Sequence, residues 1–325
     1  MKFATIGNGT PDGSLVIVSR DLQKMVTADA IAPTLQNALE NWDRVEPALR
    51  DLADALEAGT TYGIDTFDAS RARAPLPRAW QWLDGSVYRT HDRLMAELFK
   101  IPSPALSFPM MYQGLSDRFL APTADVPMPS EDDGIDFEGE FGVITDSVPA
   151  GTDADEAARH IRLLVLINDW SLRRFAPIEK PVGFGWIRAK PACSIAPVAV
   201  TPDEIGEHWR DARVHLNLDV WSNGERFGAA NGGPMVFSFA QLVAHAAYNR
   251  DLVAGTIIGS GTVSNENYTE VGSSCIAERR AIEAIHHGGP ITPFMRFGDR
   301  VRMSASLPNG ADVFGSIDQR VVASA

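Results

Sequence analysis

Cysteine is nearly absent: Cys193 and Cys275 are the only two in 325 residues. Two thiols cannot build the disulfide framework of a small secreted domain, and at most one bridge between them stays open to geometry. A reducing cytoplasm is the expected compartment. Long apolar runs are missing as well. No stretch reaches about 18 consecutive apolar residues, and residues 1–9 carry one lysine and no run of signal-peptide length, so nothing directs the chain into or through a membrane. Basic charge is in deficit, with 29 Lys and Arg against 42 Asp and Glu for a formal charge of −13. That sign repels a phosphate backbone, and no dense Lys/Arg run marks a local exception, so nucleic-acid binding is not expected. The patterns H-E-x-x-H, C-x-x-C, Walker A and G-x-S-x-G do not occur, which removes the usual support for zinc, nucleotide and serine-hydrolase chemistry.

What is present reads as a folded α+β protein of ordinary composition, 45% apolar and 22% charged. Its length exceeds what one core usually holds, so a large domain with a smaller appendage is the natural organisation. MKFATIG and SLVIVS flank a turn and predict an N-terminal hairpin. Leu35, Leu39, Trp42, Val45, Leu49, Leu52 and Leu56 recur at threes and fours and predict one amphipathic helix over residues 34–58, stopped by Gly59. The basic, proline-containing SRARAPLP reads as a linker and sets the boundary between a domain over 1–75 and one over 76–325. The second is dominated by short strands (FGVIT, LLVLIND, SIAPVAV, VHLNLDVW, TIIGSGTV, DRVRMSASL), with helices expected over 153–162 and 239–248. Asn223-Gly224 and Asn309-Gly310 signal type I′ hairpin turns.

Chemistry concentrates in IDFEGEFGVIT, where Asp136, Glu138 and Glu140 alternate with Phe137, Gly139 and Phe141. On a strand, residues of period two share a face, so the three carboxylates point one way. Either the face is solvated and the repulsion screened, or a hard divalent cation offsets it with oxygen ligands. Asp169 ends the apolar run 163–167 and reads as a turn cap or a ligand. Asp84, in an Asp-Gly pair, reads first as a turn, and His91 is one of seven histidines; a lone histidine is more often structural or at the surface than catalytic.

Taken in order, these segments resemble the fumarylacetoacetate hydrolase family. The family's metal-ligand Asp seven residues before a catalytic His is matched by Asp84 and His91, and its Y-x-G turn by Tyr112-Gln113-Gly114. Its E-x-E pair is matched by Glu138 and Glu140, and its N-D-x-S-x-R segment by Asn168, Asp169, Ser171 and Arg173. A lysine ahead of a small-residue run ending in Pro matches Lys190 in AKPACSIAP, and the late S-G-T matches Ser260-Gly261-Thr262. Two positions depart. The glutamate fourteen residues after the family's Thr is Ile276 here, which leaves Glu278, two further on, as the expected orienting carboxylate, and the glutamine seven after the family's Asp is Ala176.

The resemblance implies a β-roll-like catalytic domain preceded by a small β-rich and helical one, usually paired as a homodimer. It implies a divalent cation held by Asp84, Glu138, Glu140 and Asp169, an all-oxygen set that suits Mg²⁺ first and Ca²⁺ or Mn²⁺ next. It implies His91 as general base for water with Glu278 behind it, Lys190 and Arg173 on the developing oxyanion or a substrate carboxylate, and Tyr112 and Thr262 on the far end of the substrate. The expected substrate is a small anionic diketone or keto acid, such as fumarylacetoacetate or an acylpyruvate of aromatic-compound catabolism, cleaved at a carbon-carbon bond with the metal stabilising the enolate. Within the same resemblance, oxaloacetate decarboxylation, keto-enoate hydration and isomerisation are the alternatives, and a non-catalytic metal- or ligand-binding member is another.

Overall fold

The computed structural model describes residues 1–99 and 107–324. Its N-terminal hairpin forms as read: β1 (Lys2–Ile6) pairs antiparallel with β2 (Ser14–Val18), and β3 (Lys24–Thr27) adds beyond β2. The expected single helix is two, α1 (Leu35–Glu40) and α2 (Trp42–Ala58). The chain turns at Asn41, whose backbone leaves the helical region and whose side chain bonds back to the Asn37 carbonyl. The outer ends hold: Thr34 accepts from the Asn37 N–H, and Gly59 takes the left-handed conformation that closes α2. Val45, Leu49 and Leu56 bury the apolar stripe of α2 against the hairpin, with Trp42 packed edge-on against Phe3.

The segment read as a linker is packed structure. Ala72 and Arg73 pair with β1, Ala74 and Leu76 are buried, and the Thr5 hydroxyl donates to the Pro75 carbonyl. Ala72 and Ala74, small apolar residues alternating with the two arginines, let the backbone lie against the sheet, which composition alone does not reveal.

Beyond it come β4 (Trp82–Ser86), α3 (Arg89–Phe99), β5 (Met110–Gln113), β6 (Val126–Met128), β7 (Gly139–Thr145), β8 (Ile161–Asn168), β9 (Ala199–Val200), β10 (Asn217–Ser222), β11 (Glu225–Asn231), α4 (Phe239–Ala246), β12 (Ile257–Gly259), α5 (Ile276–His287), β13 (Arg300–Ser304) and β14 (Ile317–Ala323). The main sheet runs β3-β2-β1-β9-β8-β7-β12-β4-β5, so the N-terminal strands and the later ones share one sheet through β1 and β9. A second sheet runs β11-β10-β13-β14-β6. Both faces of β8 are buried, with Leu163, Val165 and Ile167 in one cluster and Leu164 and Leu166 in the other. That explains the unbroken LLVLI run where a half-exposed strand would alternate.

Three local expectations change. The helix begun at Ala154 ends at Ala157, and after one tight turn Ile161 and Arg162 already belong to β8. SIAPVAV splits into two short strands around Pro197, which has no N–H to donate. Asn223 and Gly224 both have positive φ, as a type I′ turn requires, whereas at the second site only Gly310 does.

Candidate metal centre and active site

Strand parity builds the acidic centre. β12 lies between β7 and β4, antiparallel to the first and parallel to the second, with Gly259 opposite both Gly142 and Asp84. Period two then puts Trp82, Asp84, Gly259 and Glu140 on one face. Asp169, just past the end of β8, joins them: one oxygen each of Asp84, Glu140 and Asp169 lie within 4.8 Å of one another, all three residues buried.

Such crowding is electrostatically costly and the protonation equilibria show it. The Asp84 carboxyl is pushed up to about 8, by burial first and the Asp169 charge second. Burial and Asp84 together hold Glu140 well above the ordinary carboxylate range. Neither oxygen of Glu140 meets a donor among the described residues. Buried, unpartnered carboxylate oxygens converging with two further carboxylates are the donor set a hard divalent cation takes, and Asp84, Glu140 and Asp169 fit one.

Glu138 lies outside that triad. Its Oε2 accepts from Lys190 Nζ at 2.6 Å, and its Oε1 forms an ion pair with Arg173 Nη2 at 2.5 Å. Burial acts to raise its pKa, but Arg173 and Lys190 outweigh burial and bring it to about 2. Lys190 also donates to Asp169 Oδ2 at 2.5 Å, and burial fails to lower its pKa because Asp169 and Glu138 raise it further. Tyr112 donates to the same Asp169 oxygen at 2.5 Å, and the Cys193 thiol donates to the other at 2.8 Å. Both cysteines are free and buried.

The third carboxylate of the expected face turns elsewhere. Asp136 belongs to a separate short pairing with Ser171 and accepts from the Ile276 and Ala277 N–H groups at the start of α5 and from Arg173 Nε at 2.7 Å. The strand is interrupted at Phe137 and Glu138, so the parity argument does not carry from Asp136 to Glu140. Asp136 thus fixes the helix and Arg173 together.

His91 sits on α3 and Glu278 on the first turn of α5, where the two helices pack together. His91 Nδ1 lies 2.9 Å from Glu278 Oε2, and Glu278 is fully buried. A carboxylate accepts only, so Nδ1 carries the proton and Nε2 of the neutral ring is the basic nitrogen. Burial acts to lower the His91 pKa, and the Glu278 hydrogen bond and charge outweigh burial and raise it. Thr262 is buried in the loop after β12, where the neighbouring Gly261 N–H donates to Asp84 Oδ1 at 3.0 Å. Ala176 lies on a short helix in a largely exposed stretch, and Ile276 opens α5. Gly259 and Cys193 carry no motif that marks them as parts of the site, and Asp136 enters the sequence reading only as one of three carboxylates on a shared face; for Gly259 the one available signal is a glycine inside a strand pattern, a mark of close approach.

Two sequence profiles account for nearly the whole chain: the fumarylacetoacetate (FAA) hydrolase C-terminal domain matches residues 81–322 and the fumarylacetoacetase N-terminal domain 2 matches residues 1–78. The chain belongs to the fumarylacetoacetate hydrolase family. It is 32% identical over 162 residues to a 2,4-didehydro-3-deoxy-L-rhamnonate hydrolase of Sphingomonas sp. (strain SKA58), a match that spans 49% of this chain and 54% of that enzyme. It is 24% identical over 280 residues to the oxaloacetate tautomerase YisK of Bacillus subtilis (strain 168), covering 81% of this chain and 89% of that one. The fold matches the crystal structure of a maleylpyruvate hydrolase from Sphingobium sp. SYK-6 in complex with manganese(II) and pyruvate, with a TM-score of 0.64 at 16% identity and full coverage of both chains.

Proposed function

We propose that this chain is a divalent-metal-dependent hydrolase that cleaves an acylpyruvate or a related 1,3-diketone acid into two acids. The observation that carries the reading is the His91–Glu278 pair, with a basic Nε2, in a site that also holds three converging buried carboxylates. Asp84, Glu140 and Asp169 hold the cation, with Glu138 beside them. A divalent ion bound there would supply Lewis-acid polarisation and electrostatic stabilisation of developing negative charge.

The residues of the chain do the rest. His91 Nε2 removes a proton from water, and the hydroxide attacks the acyl carbonyl. Glu278 stabilises the imidazolium that results. The bond between the acyl carbon and its neighbouring methylene then breaks, and the imidazolium proton passes to the departing carbon, giving a carboxylic acid and a 2-keto acid. Lys190 and Arg173 supply the positive potential that holds the substrate carboxylate, and Tyr112 orients Asp169 through the oxygen that Lys190 also holds. Mn²⁺ and pyruvate in the structurally similar maleylpyruvate hydrolase support a keto-acid substrate and a hard cation. Mg²⁺ is the ion we favour.

Loss of ultraviolet absorbance from a panel of acylpyruvates, with Mg²⁺, Mn²⁺ or EDTA, tests the proposal. Metal-dependent release of two acids is expected, and His91→Ala should lower the rate by about 10²- to 10⁴-fold. The similarity to an oxaloacetate tautomerase over most of both chains supports a second reading. Enol-keto conversion or decarboxylation of oxaloacetate with no hydrolysis of any acylpyruvate would move the protein to that branch.

A further inference from the structure

The described residues beside the acidic centre include one feature that the proposed chemistry does not use. Gly259 stands in the middle of the carboxylate face with no side chain, and the indole of Trp82 fills the space beside it. A Cβ at Gly259 would meet the far edge of the Trp82 ring, Asp84 Oδ1 at 2.5 Å and Glu140 Oε2 at 2.9 Å. Gly259 is not among the positive-φ glycines, so alanine meets no backbone strain there, and the obstacle is spatial alone. The opposite edge of the same indole abuts Gly114, where a Cβ would also collide with the ring. Trp82 is 1% exposed and packs edge-on against Phe119. A rigid apolar plate is thus wedged between two glycines, with two of the three carboxylates at its rim.

We propose that Trp82 and Gly259 together are positioning residues of the cation site: the indole is its wall, and the missing side chain at Gly259 is the slot that sets how far apart Asp84 and Glu140 stand, and so which ion size they hold. The inference rests on the metal reading above and concerns the geometry of that site, not its protonation. Ions differ in the room they need, since Ca²⁺ takes six to eight oxygens at about 2.3–2.6 Å while Mg²⁺ demands six at about 2.0–2.1 Å. A plate that cannot yield therefore discriminates by size.

Manganese binding read by electron paramagnetic resonance, and competition by Ca²⁺, test this on the full chain without any turnover assay. Gly259→Ala should weaken Mn²⁺ binding by about 10- to 100-fold, the range for residues that orient metal ligands, and should weaken Ca²⁺ binding less, because a methyl pressing on Asp84 and Glu140 drives the two carboxylates apart. Trp82→Phe gives the added methyl room, so the double variant should regain most of the lost affinity, a non-additivity that a merely structural role for either residue would not produce. Trp82→Phe alone should shift preference towards the larger Ca²⁺. Near-ultraviolet circular dichroism establishes that each variant is folded. Wild-type affinity in a folded Gly259→Ala, or a double variant no tighter than Gly259→Ala, overturns the proposal. Should Gly259→Ala not fold, an unchanged Ca²⁺ to Mn²⁺ ratio in Trp82→Phe does the same. A wild-type protein that binds no Mn²⁺ overturns the metal reading itself.

Discussion

At the scale of single residues, two protonation equilibria carry different lessons. Burial lowers the His91 pKa, but the Glu278 hydrogen bond and the neighbouring carboxylate charges together outweigh it and hold the pKa above that of an ordinary histidine. A base works deprotonated, so the acid limb of kcat/KM follows this pKa. Glu278→Gln removes the raising influence, and the acid limb should move to lower pH while the plateau rate falls; a limb that stays in place would show that His91 is not the group being titrated. Asp84 bears on stability. Its carboxyl binds a proton more readily in the folded chain, near pH 8, than at its ordinary 3.8. Without metal its contribution to folding is therefore fully present below about pH 4 and is lost as pH climbs through about 8. Thermal melts in EDTA should show a Tm that falls between pH 5 and pH 8.5, and saturating Mn²⁺ should lift the alkaline melts most, because a cation binds the deprotonated acids.

At the scale of elements, the site is a product of register. Asp136 anchors the N-terminus of α5 through two backbone N–H groups while pairing with Arg173, all in buried surroundings. Asp136→Ala should cost about 3–5 kcal/mol, the usual penalty for breaking a buried ion pair, measured as a shift of the urea midpoint at constant slope. This element also shows where the sequence was readable and where it was not. Alternation in IDFEGEFGVIT located Glu138 and Glu140, and the order of short segments from Asp84 to Thr262 identified the family, because both signals are local in the chain. Glu278 is the carboxylate expected behind His91, and the two side chains meet. That Asp136 leaves the shared face and that the N-terminal helix turns at Asn41 depend on where other elements lie. No spacing encodes such contacts. Gly259 is legible only as a glycine inside a strand pattern, a sign of close approach that does not name the neighbour needing the space.

At the scale of the whole molecule, residues 1–78 are joined to the rest by more than a covalent link. β1 pairs with β9 in one continuous sheet, and Leu15, Ile17 and the apolar face of α2 share a core with Leu163, Val165 and Ile257. A fragment lacking these residues would bare an unpaired sheet edge and one side of β8. It should be recovered as aggregate or bind 8-anilinonaphthalenesulfonate strongly; a soluble, cooperatively melting fragment would show that the larger part folds alone. The same sheet dictates an order of events in time. Asp84 accepts a hydrogen bond from Gly261, 177 residues further along the chain, and β4 reaches its parallel partner β12 only across that interval. On a growing chain the first carboxylate must wait, unpaired, until nearly all the others have been made. A cation bound at these carboxylates would then arrive at a finished protein as a lock and not as a template, and its withdrawal should speed unfolding while leaving the refolding rate unchanged.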